Sequence, residues 1–313
     1  MAILLKRGEV EPLIDMRRGI EVLKQAYRDQ SGGGADQVPP LRLMQRGMRL
    51  AVGGLPARDR RGLRVSVTGG GAAALLFEIS SGKLLSVMGY PFGQLRIGAT
   101  IGIGVECLAP PAAASIAMIG SGRNGLWLLE GAQAVRPIRK VFVYSRSAER
   151  RAAFARRAGA DLGVEAVAVS SPREAIERAD MIIVSTNSPE PALRGEWLGP
   201  GARIFAAGRP NELDDDVYLK ANLVSIVSKT HELGYYDTKL DQPLLRLAQQ
   251  GKITWESVAE IGDILCGKVA APRDPKAVVV FRDSQGGYGD VALAARAYEE
   301  ALKRGLGHEI SLE

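Results

Sequence analysis

Eleven residues, Ser115 to Gly125, restrict the fold of this chain more than any other stretch. They read Ser-Ile-Ala-Met-Ile-Gly120-Ser-Gly122-Arg-Asn-Gly125: an apolar run of strand length, a glycine turn, and the start of a helical pattern. Glycine at the first position permits the tight turn, Gly122 lets backbone approach a pyrophosphate, and Gly125 allows close packing. The helix that follows offers unpaired N–H donors and a partial positive charge. A Gly-x-Gly-x-x-Gly string is weak evidence alone, but here it has the strand and helix that the chemistry requires on either side. Gly120, Gly122, Arg123, Asn124 and Gly125 are therefore the candidate phosphate-binding residues.

The grammar after this turn supports it. Lys140–Tyr144, Val164–Val169, Met181–Ser185, Arg203–Ala207 and Leu223–Val227 are short apolar runs, separated by helical segments such as Asn124–Val135 and Ala148–Ala158. Ser171-Pro-Arg-Glu174 is a capping box with proline at the first helical position. Alternation of this kind predicts an α/β fold with a doubly wound parallel sheet, a Rossmann dinucleotide-binding domain over residues 114–282. The tip of its second strand selects the dinucleotide, because an NAD enzyme places an acid there on the ribose hydroxyls. This chain has Ser145-Arg146-Ser147 instead. A guanidinium between two hydroxyls suits a 2′-phosphate, so NADP is the preferred cofactor, with NAD the alternative should Arg146 be only a solvated surface residue. Ser185-Thr186-Asn187 ends the fourth strand, on the edge where doubly wound sheets bind ligands.

The rest of the chain reads differently. Met16, Ile20, Leu23 and Tyr27 recur at helical spacing until Ser31-Gly-Gly-Gly34. Leu63–Thr68 alternates as a strand, and Ala73–Ile79 and Leu84–Met88 flank a short turn as a hairpin. Gln94–Leu108 reads as a helix stopped by Pro110-Pro111. A last strand, Ala277–Arg282, and a helix, Asp290–Lys303, close the chain. The end is expected to fold back on the beginning, so that residues 1–113 with 283–313 form a discontinuous α+β domain. With 313 residues, 46% hydrophobic and 24% charged, two globular domains with full cores are expected.

Composition also removes function classes. Two histidines and two cysteines, all far apart, leave no metal site or disulfide framework and fit a reducing cytoplasm. Cys107 and Cys266 read as buried helix residues. No run of some 18 apolar residues offers a membrane span, and the apolar start Met-Ala-Ile-Leu-Leu is cut by Lys6-Arg7, unlike a signal peptide. The net charge of +6 is spread out, which argues for an anionic small molecule and against nucleic acid. Arg58-Asp-Arg-Arg61 reads as a solvated loop.

Longer strings carry a resemblance. Leu95-Arg-Ile-Gly-Ala, Ile119-Gly-Ser-Gly-Arg-Asn-Gly, Val143-Tyr-Ser-Arg-Ser, Ser185-Thr-Asn-Ser-Pro-Glu-Pro, Gly195-Glu-Trp-Leu-Gly-Pro-Gly and Asn211-Glu-Leu-Asp-Asp occur in this order. Ala259-Glu-Ile-Gly-Asp-Ile-Leu-Cys-Gly and Phe281-Arg with Asp290 complete the set. Together the chain resembles the ornithine cyclodeaminase/mu-crystallin family over nearly its whole length. The resemblance implies a homodimer whose split first domain builds the dimer sheet and the substrate pocket. It also implies a hydride passed between nicotinamide and the α-carbon of an imino or amino acid. Arg42, Arg64 and Arg96 match the basic residues that hold the substrate carboxylate, and Thr186 and Asn187 fall near the nicotinamide ribose.

Two departures narrow the reaction. Arg64 stands where the family usually has lysine, and arginine keeps its proton, so an electrostatic clamp is expected there instead of a proton shuttle. The cyclodeaminase has an aspartate just after the fifth Rossmann strand, but Ala206-Ala-Gly-Arg-Pro-Asn-Glu212 holds no acid before Glu212. Both departures favour an NAD(P)H-dependent ketimine reductase or amino-acid dehydrogenase. The alternatives are an ornithine or lysine cyclodeaminase that borrows Asp290 or Glu212, and a non-catalytic NADPH-binding crystallin-like protein. Asp290 reads either as a catalytic group or as a helix N-cap. His231 reads as a structural residue or, less often, a catalytic one.

Overall fold

The computed structural model describes residues 2–35, 47–67, 70–234, 240–284 and 287–311. In chain order its strands are β1 (Ala2–Leu5), β2 (Met48–Leu55), β3 (Arg60–Val67), β4 (Ala72–Glu78), β5 (Leu84–Met88), β6 (Ser115–Ile119) and β7 (Lys140–Tyr144). They continue as β8 (Glu165–Ala168), β9 (Met181–Val184), β10 (Arg203–Ala206), β11 (Leu223–Ile226), β12 (Ala259–Glu260), β13 (Val279–Arg282) and β14 (His308–Ile310). The longer helices are α1 (Met16–Ser31), α2 (Phe92–Leu108), α3 (Gly125–Val135), α4 (Ala148–Leu162) and α5 (Gly287–Lys303). Two compact units divide the chain. One comprises Met1–Ala99, Val227–Tyr236 and Ser284–Glu313, and the other Thr100–Ile226 with Asp237–Asp283. The first unit thus ends inside α2 and not at residue 113, and it takes in a short segment after β11.

The first unit is a six-stranded sheet in the order β14-β1-β5-β4-β3-β2, antiparallel except where β1 runs parallel to β5. Asp15 starts α1 by accepting the Arg18 N–H at 2.8 Å, and Met16, Gly19, Ile20, Leu23, Ala26 and Tyr27 form its buried stripe. That spacing of three and four turns one apolar face inward. Helix α5 packs on α1 and across β2 and β3. Two glycines let it do so: a Cβ on Gly53 of β2 would overlap the Tyr288 backbone, and one on Gly287 would overlap the Val52 carbonyl. The segment after β11 belongs to this unit through Ser228, whose N–H donates to Ser284 Oγ at 2.9 Å, and through Gln30 Nε2, which donates to the Val227 carbonyl.

The second unit is an eight-stranded parallel sheet in the order β12-β11-β13-β10-β9-β6-β7-β8. The chain starts at β6, builds outward through β7 and β8, then crosses back to β9 and β10 on the other side of β6. Strands β9 and β10 are buried at every residue, as strands covered on both faces are. The last carbonyls of α2 lack helical partners. Arg136 donates to the carbonyls of Glu106 at 2.8 Å and Ala109 at 2.9 Å, and Arg203 donates to that of Leu108 at 3.1 Å. Burial lowers the pKa of both guanidiniums.

Several expected boundaries move. Strand β2 was not anticipated at all, since Met-Arg-Leu-Ala-Val-Gly-Gly-Leu neither alternates nor avoids glycine. Strand β13 joins the parallel sheet, so of the closing strand and helix only α5 returns to the first unit. Arg60 and Arg61 belong to β3 and not to a loop; the turn before them is Asp59, at φ 57°, whose carboxylate accepts Ser80 N and Oγ at 2.7 Å. Cys266 is exposed and Cys107 half-buried, where both were expected inside. In the capping box Ser171 Oγ accepts the Glu174 N–H, but the Glu174 carboxylate reaches back to Ser170 and not to Ser171.

Candidate active site

The nucleotide-side residues lie on the C-terminal edge of the parallel sheet, where β6 and β9 adjoin and the strand order reverses. Gly120 has φ +119°, and a Cβ on it would overlap the Ser185 carbonyl. Only glycine serves there. At Gly125 a Cβ would come 2.7 Å from the Phe154 ring of α4, so this glycine admits a helix neighbour. At Gly122 a Cβ would meet no protein atom within 4 Å, so the fold itself does not require glycine at that position. Ser121 Oγ donates to Ser145 Oγ at 2.9 Å, fastening the glycine turn to the tip of β7. Ser147 caps α4 through the Arg150 N–H, while Arg146 and Arg123 are exposed. Asn124 precedes α3 without a side-chain cap.

Thr186 and Asn187 follow β9, Asn187 being exposed. Beneath them lies Glu212, fully buried. One of its oxygens accepts the Thr186 N–H at 2.9 Å and the other accepts the Gly208 N–H at 2.7 Å. The carboxyl thus joins the loop after β9 to the loop after β10. Burial pushes its pKa up to about 8 against the pull of the two N–H donors and of the Arg282 charge. Gly208 has no room for a side chain beside this carboxyl. The sequence offered Glu212 only as a possible substitute acid; its place under both loops had no local signal.

In the first unit the structure brings Arg64, Arg96 and Asp290 together. Arg64 Nε donates to Asp290 Oδ2 at 2.9 Å, and Arg96 Nε lies 3.5 Å from Asp290 Oδ1. Asp290 and Arg96 are 3% exposed and Arg64 14% at the side chain. Arg64 Nη1 also donates to Ser66 Oγ at 3.0 Å. Asp290 is the fourth residue of α5 and so is not its N-cap. Glycine again makes the space: a Cβ on Gly93 would sit 3.0 Å from Arg64 Cζ, and one on Gly289 3.2 Å from Arg96 Cδ. Neither glycine was singled out from the sequence. Arg42 lies outside the described residues.

His231 is buried in the same unit, its ring stacked on Tyr288 at 5.5 Å, and the Tyr288 hydroxyl bonds the Gln30 side chain. No group of His, Cys, Asp and Glu suited to a metal occurs among the described residues, and none of their helices is long and apolar enough to cross a membrane.

Known proteins are similar to this chain. The model of the ornithine cyclodeaminase/mu-crystallin family matches residues 2–305. The chain belongs to that family. A Δ1-pyrroline-2-carboxylate reductase of Bacillus cereus is 30% identical over 242 residues, 75% of this chain and 73% of the relative. The mouse ketimine reductase mu-crystallin is 30% identical over 236 residues, 73% of this chain and 69% of the relative. Among solved structures, the Δ1-pyrroline-2-carboxylate reductase of Thermococcus litoralis in complex with NADH and L-proline superposes with a TM-score of 0.87. It is 26% identical, with 98% of this chain and 100% of that one covered. These relatives are imino-acid oxidoreductases, and the present chain is an oxidoreductase of their family.

Proposed function

We propose that this protein passes a hydride between a nicotinamide dinucleotide, NADPH by preference, and the α-carbon of an imino or amino acid. The observation that carries the reading is the buried pair of guanidiniums, Arg64 and Arg96, sharing the single carboxylate of Asp290. Two buried guanidinium forks brought together in one place suit a carboxylate, and a substrate α-carboxylate is the anion we assign to them. Glycine at position 122 supports the cofactor reading. No protein atom would oppose a side chain there, so the open backbone is explained by a pyrophosphate drawn up to it.

When bound, the nicotinamide supplies or receives the hydride at its C4 atom. The chain's own residues then have these parts. Gly120 and Gly122 present backbone to the pyrophosphate at the start of α3. Ser145, Arg146 and Ser147 hold the 2′-phosphate, and Thr186 with Asn187, set from below by Glu212, orient the nicotinamide ribose. Arg96 and Arg64, with Arg42, fix the α-carboxylate, so that orientation does much of the work. Arg64 contributes fixed charge and not proton transfer. Asp290 and Glu212 are both occupied, one by two guanidiniums and the other by two backbone N–H groups. Neither is at liberty to take the amine chemistry of a cyclodeaminase, which favours simple imine reduction. A homodimer in the cytoplasm completes the reading.

The test is to titrate the purified protein with NADPH and with NADH, then add pyrroline-2-carboxylate and follow loss of nicotinamide absorbance. Tighter NADPH binding with turnover supports the reading. Ammonia released from ornithine without net oxidation of cofactor would move the assignment to a cyclodeaminase. Binding with silence across a panel of imino and amino acids would make the protein a crystallin-like binder.

A further inference from the structure

Strand β2 pairs antiparallel with β3, with Arg49 opposite Ser66, Ala51 opposite Arg64 and Gly53 opposite Gly62. Side chains two residues apart share a face of a sheet, so Arg49, Ala51 and Gly53 lie on the same face as Ser66, Arg64 and Gly62. This is the face that α5 covers: Gly53 abuts the Tyr288 backbone, and a Cβ on Gly62 would meet Val291 at 3.3 Å. Arg49 is thus the diagonal neighbour of Arg64 on that face, about 7–8 Å away between Cα atoms, within reach of long side chains. Directly opposite it stands Ser66, whose hydroxyl already accepts from Arg64.

Arg49 is half-buried, and its Nε is buried without a hydrogen-bond acceptor among the described residues. The other charges on this face are accounted for. Arg60 lies 3.8 Å from Glu78 at the far end, and Arg64 shares Asp290 with Arg96. One substrate α-carboxylate suits the Arg64 and Arg96 pair. It leaves Arg49, on the adjoining strand, without an anion among the described residues.

Resting on the oxidoreductase reading above, we propose that Arg49 binds a second carboxylate of the substrate, so that the amino or imino acid handled by this chain is dicarboxylic. Arg49 is then the residue that sets side-chain specificity, while Arg64 and Arg96 hold the end common to all α-amino acids. A guanidinium suits this part because its donor fork matches a carboxylate.

The experiment compares oxidation of L-aspartate with L-alanine, and of L-glutamate with L-2-aminobutyrate, by the full-length protein with NADP⁺ and with NAD⁺. The wild type is expected to favour one dicarboxylic member over its partner by at least about tenfold in kcat/KM. Arg49→Gln lowers that ratio by about thirtyfold, mainly through KM, as loss of a charged hydrogen-bond partner does. Arg49→Lys restores part of it. Because the ratio is taken within one protein, a general loss of folded enzyme cancels. A wild type that prefers the monocarboxylic acids, or an Arg49→Gln ratio equal to the wild type's, overturns the assignment of Arg49 and leaves the oxidoreductase reading intact. If no amino acid is oxidised and no imino acid is reduced with either cofactor, the reading itself falls, and this inference with it.

Discussion

Asp290 lies between two guanidiniums, and replacing it by asparagine keeps its shape while removing the charge that both of them share. Breaking a buried pair from one side is more damaging than never having built it, since the partners stay charged. Asp290→Asn should therefore cost about 3 kcal/mol in urea unfolding. It should also lower kcat/KM for the amino or imino acid about a hundredfold, while dinucleotide affinity measured by fluorescence stays within about twofold. Glu212 makes a different prediction. Its pKa is raised from 4.5 in the unfolded chain to about 8 in the folded one, so the folded state binds the extra proton between those values. Stability from this group is full below pH 4.5 and is lost as pH rises through 8. The advantage of the wild type over Glu212→Gln should therefore shrink steadily from pH 5 to pH 8 in thermal melts; a constant gap would mean that the carboxyl stays ionised throughout. The glycines and Arg146 were candidates from the sequence, because turn chemistry and strand tips leave local marks. The sequence did not show what Glu212 or Asp290 touch, because those partners come from strands and helices far along the chain.

Helix α5 is held by backbone contact, and the contact tolerates no side chain at either Gly53 or Gly287. Gly287→Ala forces the helix off β2, with an expected loss of about 3 kcal/mol by denaturant titration. Because α5 carries Asp290, substrate KM should rise in the same variant, whereas Gly122→Ala, where a Cβ meets no protein atom, should leave stability nearly unchanged and weaken dinucleotide binding. Equal stability losses in the two variants would contradict this account. At this scale the parallel sheet was legible, since short apolar strands of four or five residues alternate with helical segments. Strand β2 was not. Its Gly53 makes room for α5, and that reason exists only in three dimensions.

The whole molecule divides into a second unit interrupted once and a first unit gathered from the two ends of the chain and the segment after β11. A ligand that binds only the folded state stabilises it by about 2.7 kcal/mol at a hundred times its Kd. At equal concentration, NADPH should therefore raise Tm by several degrees more than NADH, and Arg146→Asp should reverse that order. If NADH stabilises the wild type more, the 2′-phosphate role of Arg146 is wrong and the fold is untouched. A split chain was expected because the helix–strand grammar changes at Ser115 and again after Arg282. The position of the division within α2 is not marked, since a continuous helix gives no punctuation. The split also orders events on the ribosome. At some 5–20 residues per second, strands β2 to β5 emerge roughly 10–50 s before the helix that covers one of their faces. Throughout that interval the nascent sheet presents Ala51, Gly53 and Gly62 without the helix that packs on them. A chaperone that recognises bare β-sheet would find this chain a client early in synthesis, and would be dismissed when Gly287 arrives.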